Sequence, residues 1–308
     1  MNSEQVLLFT IIPFLAIGFL IGKKIPVASQ KISIPLINYG IPISVMGLLL
    51  KHGIDTDLIK AALIAFITIC LLMLLINISP PLKRIFPTYS LQLSGLIGNT
   101  SFLGIPIAMA LLPSTTIDLT IGFDLGTTFF AWLFGPFLLQ NRTQKNTVLN
   151  VKQVFFGILN SPASKGIIGV LVIYQFGLES YLGEILWIPA ITIIFLMIIV
   201  VGTRLGIIVN SKKKIIDFSS GIHNSLILKL LILPLIIFII CSYLNFNRNE
   251  SAALIIQAGT PTAISTILMA EAYKINQDIS AKILFLTTIT ATFTIPIIRF
   301  IFFNNLNY

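Results

Sequence analysis

Charge is scarce in this chain. Of its 308 residues, 10% are Asp, Glu, Lys or Arg and 56% are hydrophobic, with a mean hydropathy of +0.97. A soluble domain of that length cannot cover its surface with so few charges, so the composition requires a membrane protein. Cysteine is nearly missing as well. Cys70 and Cys241 both lie inside apolar runs, which excludes a disulfide framework and a cysteine metal site. The two histidines, His52 and His223, stand far apart near the ends of apolar runs, so a metal or acid–base role for them is the minor reading. No P-loop, nucleophile–base constellation or metal-ligand spacing is present, which argues against an enzyme, against ATP coupling within this chain and against a cofactor. The alternating apolar and polar residues of β-barrel strands are absent too.

What the chain does have is long apolar runs. A helical crossing takes about 20 apolar residues. Ten runs qualify: Val6–Gly22, Ile32–Leu50, Leu58–Ile78, Tyr89–Leu112, Ile117–Leu139, Ser164–Leu178, Leu186–Gly206, Leu226–Leu244, Ala252–Ala272 and Ala281–Phe303. The sixth is short for a full crossing, and "VKQVFFGILNSP" before it reads as a helix lying in the interface. No basic residue precedes the first run, so it lacks the n-region of a cleaved signal peptide and reads as a retained span. Loops after odd-numbered runs carry fifteen Lys and Arg against four on the other side. By the positive-inside rule the odd loops are cytoplasmic, and both termini lie outside a plasma (inner) membrane. The net charge of +9 is spread over these loops, and no basic domain implies a nucleic-acid partner. Lys229, early in the eighth run, is expected to snorkel to the cytoplasmic interface.

Five runs per half means that two homologous halves must have opposite orientations. The halves are residues 1–139 and 164–308, joined by a cytoplasmic loop with an interfacial segment at 140–163. A shift of 160 residues aligns Thr100 with Thr260, Thr127 and Thr128 with Thr287 and Thr288, and Pro136 with Pro296. Pro42 and Pro189 are expected to interrupt the second run of each half. The fold expected is all-α and polytopic, with ten transmembrane helices as two inverted five-helix repeats.

Polar residues at mid-membrane mark the chemistry. In "LIGNTSFLGIP", Gly98 weakens the fourth helix, and Asn99, Thr100 or Ser101 can cap the half-helix that restarts. In "QAGTPTAIST", Gly259 interrupts the ninth, Thr260 is a good N-cap and Pro261 suits the first helical position. A break inside a membrane needs protein or a watery cavity to satisfy the freed backbone. Two restarted half-helices facing one centre offer free N–H groups and positive dipole ends to an anion, with no basic residue near either break in the sequence. The competing reading is close helix packing through the same small polar residues. Asp124, the one carboxylate well inside a run, is either a proton or cation site or a buried acceptor for a neighbouring Thr or Asn. Glu271, at the cytoplasmic end of the ninth run, is an interfacial charge or a gate. The threonines from Thr287 to Thr294 line a polar seam or bond back to their own helix. Gly18 and Gly22 form a small-xxx-small pair suited to helix packing.

"GNTSFLGIPIAMALLP" and "QAGTPTAISTILMAEAYKINQDISAKILFLTTITATFTIP" resemble the fourth and the ninth-to-tenth spans of the auxin efflux carrier family, which holds bacterial permeases and plant auxin exporters. Pro42, the "DLG" from Asp124 and the "FGP" ending at Pro136 extend the likeness along the chain, as does the lack of a soluble domain between the fifth and sixth runs. The resemblance implies a scaffold of the first, second, sixth and seventh spans. It implies a transport domain with crossed, broken fourth and ninth helices, moving organic anions by an elevator-like motion. Asn99 and Thr100 match the crossover residues that meet the ligand carboxylate, and Pro261 matches the family's ninth-span proline. Gly98 stands where the family has a proline, which leaves the geometry of that break open. The function expected is a secondary transporter of small organic acid anions, with malate-like dicarboxylates or indole-type monocarboxylates as candidates. Alternatives are a sodium- or proton-coupled symporter resembling the sodium–bile acid symporters, and a channel or membrane receptor using the same pocket. The partners implied are the anion and the lipid bilayer, with a homodimer by analogy alone.

Overall fold

Local signals set where the helices begin. Asp55 accepts from the Leu58 N–H at 2.8 Å and Thr88 from the Leu91 N–H at 3.3 Å, each capping a helix. Asn247 and Glu250 form a reciprocal capping box. The computed structural model describes residues 12–26, 31, 35–143, 155–156, 159–160, 162–210, 220–272, 275 and 277–304. Among these the regular structure is helical, and one isolated antiparallel bridge joins Gly98 to Thr262. The helices are α1 (Ile12–Lys24), α2 (Ile41–His52), α3 (Thr56–Ile78), α4 (Pro80–Ile85), α5 (Tyr89–Leu96), α6 (Ile105–Leu111) and α7 (Ile117–Thr143). They continue as α8 (Pro162–Gln175), α9 (Glu179–Asn210), α10 (Ser220–Ile227), α11 (Leu233–Tyr243), α12 (Arg248–Ala258), α13 (Ile264–Ala272) and α14 (Gln277–Asn304).

Among the described residues, five stretches are long and apolar enough to cross a membrane: Thr56–Ile78, Ser114–Gly135, Glu179–Asn210, Gly221–Tyr243 and Asp278–Ile298. The chain is therefore an all-α, multi-pass membrane protein. The α3 helix shows why lipid is its solvent. Ala61 and Ala65 are fully buried on one face, while Leu63, Ile67, Leu71 and Leu74 stay exposed on the other. In water that second face would be an aggregation surface. The 14 residues of α8 reach roughly 21 Å at about 1.5 Å each, short of a hydrocarbon core of about 30 Å.

Three wide π-helical turns among the described residues share one cause. They span Leu36–Gly40, Thr100–Gly104 and Leu228–Ile232, and Pro42, Pro106 and Pro234 follow two residues after each. A proline ring clashes with the carbonyl four residues earlier, here that of Asn38, Phe102 or Leu230, at the middle of each turn. Widening the turn relieves the clash, and such turns recur at functional sites. Pro189 behaves differently from the sequence expectation. It does not interrupt α9, which runs unbroken over 32 residues. Close packing holds it: the Leu186 carbonyl and Ala190 side chain lie directly against Gly47 of α2.

The helices pack in two sets. Both α1 and α2 lie along α9, and α8 packs on α2. In the second set α3 lies along α7, α5 contacts α10 and α14, and α12 contacts α7, α11 and α14. The sets meet where Phe102, Leu103 and Ile107 join one core with Met197, Ile198 and Val201 of α9. Gly18 and Gly22 do serve packing, against Gly202 and Gly206 of α9. A Cβ at Gly22 would overlap the Thr203 backbone carbonyl, so Gly22→Leu forces the helices apart. Overpacking costs about 1–3 kcal/mol where neighbours can adjust, and backbone adjusts least. The expected result is loss of the monodisperse peak in size-exclusion chromatography of detergent extracts, with wild-type behaviour for Leu20→Ala on the exposed face of α1. Residues 6–11 of the first run and most of the expected interfacial helix lie outside the described residues.

Candidate functional site at the helix crossover

The fourth and ninth runs are both interrupted, and the interruptions touch. The α5 helix ends at Leu96, and Ile97 is extended (φ −89°, ψ 115°). The α12 helix ends at Ala258, and α13 begins only at Ile264. Between these ends the two chains run antiparallel. The Asn99 N–H donates to the Pro261 carbonyl at 2.7 Å, and the Ala263 N–H donates to the Ile97 carbonyl at 3.0 Å. Each break thus satisfies the other's backbone, as a bilayer interior demands. Side chains complete the account. Thr262 donates its hydroxyl to the Ser94 carbonyl at 2.6 Å, and its N–H donates to the Thr287 hydroxyl at 3.1 Å. Thr287, Thr288 and Thr292 also bond back to carbonyls of α14, so the threonine cluster serves its own helix and, at Thr287, the seam.

The restart of the fourth helix departs from the expected capping. Asn99 occupies the N-cap position without a side-chain cap hydrogen bond. Its side-chain nitrogen Nδ2 is buried and has no partner among the described residues. Thr100 and Ser101 turn their hydroxyls onto one carboxylate oxygen instead: Thr100 Oγ1 donates to Asp124 Oδ1 at 2.5 Å and Ser101 Oγ at 2.6 Å. Asp124 is 1% exposed, so this carboxylate ties the restart to α7 from within the protein.

A cleft with about 610 Å³ of open space lies at this point, lined by Asn99, Thr100, Ser101, Thr128, Trp132 and Ser265. Gly98 lines it as well, and Ile41 and Pro162 close it from the α2 and α8 side. A smaller space of about 290 Å³ lies between the two helix sets and is lined by Ser44, Leu48, Ser101, Asp124, Ile194 and Met197. The four residues expected in the fourth run therefore gather at one cleft. Those of the ninth do not. Gly259, Thr260 and Pro261 are buried behind the bridge, Thr260 Oγ1 donating back to the Gln257 carbonyl at 2.8 Å. Pro261 lies three residues ahead of the helix start rather than first in it, and Ala263, Ile264 and Ser265 line the cleft in their place. Glu271 falls in the last turn of α13, and its side chain lies outside the described residues.

Sequence reasoning missed Lys229. Its side chain does not snorkel: it is 1% exposed, and Nζ donates to the Ala258 carbonyl at 2.5 Å. A Cβ on Gly98 would lie 2.8 Å from that ammonium. A basic residue is thus present beside the breaks, contrary to what the spacing along the chain suggested. The available signal was the general one that an ionisable residue inside a span is functional by default.

Comparison with known proteins finds membrane transporters. Residues 185–299 match a family model described as membrane transport protein. The chain is also 24% identical over 229 residues to a protein of Methanocaldococcus jannaschii named as an uncharacterized transporter, a match covering 70% of each chain. With the interrupted helices, these matches point to a membrane transporter and not an enzyme, similar over its second half to that family.

Proposed function

We propose that this transporter carries small organic acid anions by alternating access, with the anion held at the crossover of the fourth and ninth spans. The observation that carries the reading is the buried, unpartnered Nδ2 of Asn99 in the wall of a cleft where two half-helices restart. An unpaired buried donor is costly unless a ligand uses it. The N–H groups at the start of the π turn and of α13 add donors and positive dipole ends on the same side. Trp132 and Ile264 give the cleft an apolar wall suited to the body of an organic acid.

The motion is an elevator in this reading. The set built from α1, α2, α8 and α9 is the scaffold, and the set holding the crossover slides against it along the Met197–Val201 face of α9. Ten crossings in two inverted repeats, with both termini outside the plasma membrane, complete the topology. Its support is the loop-charge bias and the alignment of Thr100 with Thr260. Pairing of Asp124 with Thr100 and Ser101 supports a second reading, in which uptake of a proton or cation at the carboxylate is linked to release of the restart.

The test is flux in proteoliposomes against a panel of organic acids that includes malate and indole-3-acetate, with pH, sodium and voltage gradients imposed separately. Saturable flux of an organic anion by the wild type, lost in folded Asn99→Ala, bears the reading out. Wild-type flux by that variant, or single-channel currents without saturation, sinks it.

A further inference from the structure

Lys229 sits where transporters of this construction hold a free cation. Ala258 is the last residue of α12, so its carbonyl belongs to the group that a helix C-terminus leaves without an intrahelical donor. That end also carries roughly half a negative charge from the helix dipole. In carriers with interrupted helices, anionic substrate faces the half-helix N-termini, and unwound carbonyls with half-helix C-terminal ends coordinate sodium or a proton. Here the carbonyl end is already occupied. The ammonium reaches it from the π turn Leu228–Ile232, and among the described residues it makes no ion pair.

Gly98 supplies an independent second observation. It stands where the resemblance to the family sets a proline, and the structure gives the reason. A Cβ at this position would lie 2.5 Å from Thr260 Oγ1, 2.8 Å from Lys229 Nζ and 3.1 Å from Lys229 Cε. A side chain at this position would push the ammonium or the Thr260 hydroxyl out of the place it holds between the two breaks.

We propose that Lys229 is the resident cation of the crossover: its ammonium takes the place of an inorganic ion at the carbonyl end of α12, so this chain needs no sodium there. The consequence for transport rests on the reading of the crossover as the substrate site. A site that carries its own basic side chain is matched to an anion travelling without a sodium partner.

The test reads stability rather than flux, so a failed flux assay and a failed inference are told apart. Full-length chain in detergent is melted with a thiol-reactive dye, which reports the exposure of buried Cys241. Sodium chloride is compared with choline chloride at equal ionic strength. The wild type is expected to melt at the same temperature in both. Lys229→Ala is expected to melt several degrees lower in choline and to recover in sodium chloride or ethylammonium chloride, small cations that refill the gap. If Lys229→Ala yields no folded protein, Lys229→Ser leaves the same gap with a polar group in it and is read identically. Gly98→Ala is expected to lose several degrees in the wild-type background through displacement of the ammonium. Sodium stabilising the wild type would overturn the inference and direct attention to the unpartnered amide of Gln257 as a cation ligand. Equal melting of the Lys229 variants in all three salts would overturn it as well.

Discussion

Asn99→Ala is expected to reduce organic-anion flux by roughly 10- to 100-fold while leaving the melting temperature unchanged or slightly raised. The two halves of that result have one origin. The Asn99 amide makes no cap hydrogen bond, and its Nδ2 is buried without a partner, so the folded protein gains nothing from it. Removing an unsatisfied buried donor is neutral or favourable for folding. A hydrogen bond to a charged ligand group contributes about 1.5–3 kcal/mol, and about 1.4 kcal/mol corresponds to tenfold in affinity. Backbone hydrogen bonds at this residue survive the change, because its N–H and carbonyl hold the bridge and the restart. A melting curve and a flux measurement on one preparation therefore separate ligand binding from folding. A matching loss of both would show that Asn99 is structural.

Asp124→Leu is expected to be the most destabilising single substitution near the site, by about 2–6 kcal/mol. The carboxylate accepts from two hydroxyls at 2.5 and 2.6 Å. A leucine leaves both without an acceptor in a buried place, at about 1–3 kcal/mol for each orphaned group. The restart of the fourth helix then loses its tie to α7. Thermal unfolding in detergent is the measurement, and Asp124→Asn is the control. Its carbonyl oxygen still accepts from Thr100 and Ser101, so this variant is expected to stay close to wild type in stability. Equal melting of the leucine and asparagine variants would remove the structural role from Asp124.

These outcomes bear on what the residues announced in advance. Both interruptions were legible, since a break inside a bilayer needs Gly, Pro and small polar side chains within a few positions of one another, as at Gly98–Ser101 and Gly259–Pro261. The packing role of Gly18 and Gly22 was legible for a similar reason: residues four apart share a helix face. The work of Thr100 and Ser101 was legible only in part: Asp124 stood out as a buried acceptor for some neighbouring Thr or Asn, and nothing along the chain picked out these two. An N-cap and a bond to Asp124 use the same hydroxyl, and the choice depends on α7 lying alongside, 24 residues further on from Thr100. The ninth helix restarts at Ile264, later than Pro261 suggested, because the antiparallel bridge to Ile97 and Asn99 holds the intervening chain extended.

Membrane residence, all-helical architecture and the places where two helices must fail were written in composition and local sequence, since each depends on neighbours a few residues away. Which groups those failures bring together was decided only in three dimensions. Lys229 is the plainest instance: snorkelling is the solution for a lysine on a lone helix, and the carbonyl of Ala258, 29 residues later, becomes its partner only once the broken ninth helix is packed beside it. A hydrogen bond between distant segments has no signature in either segment by itself, because what selects it is the absence of water at the point where they meet.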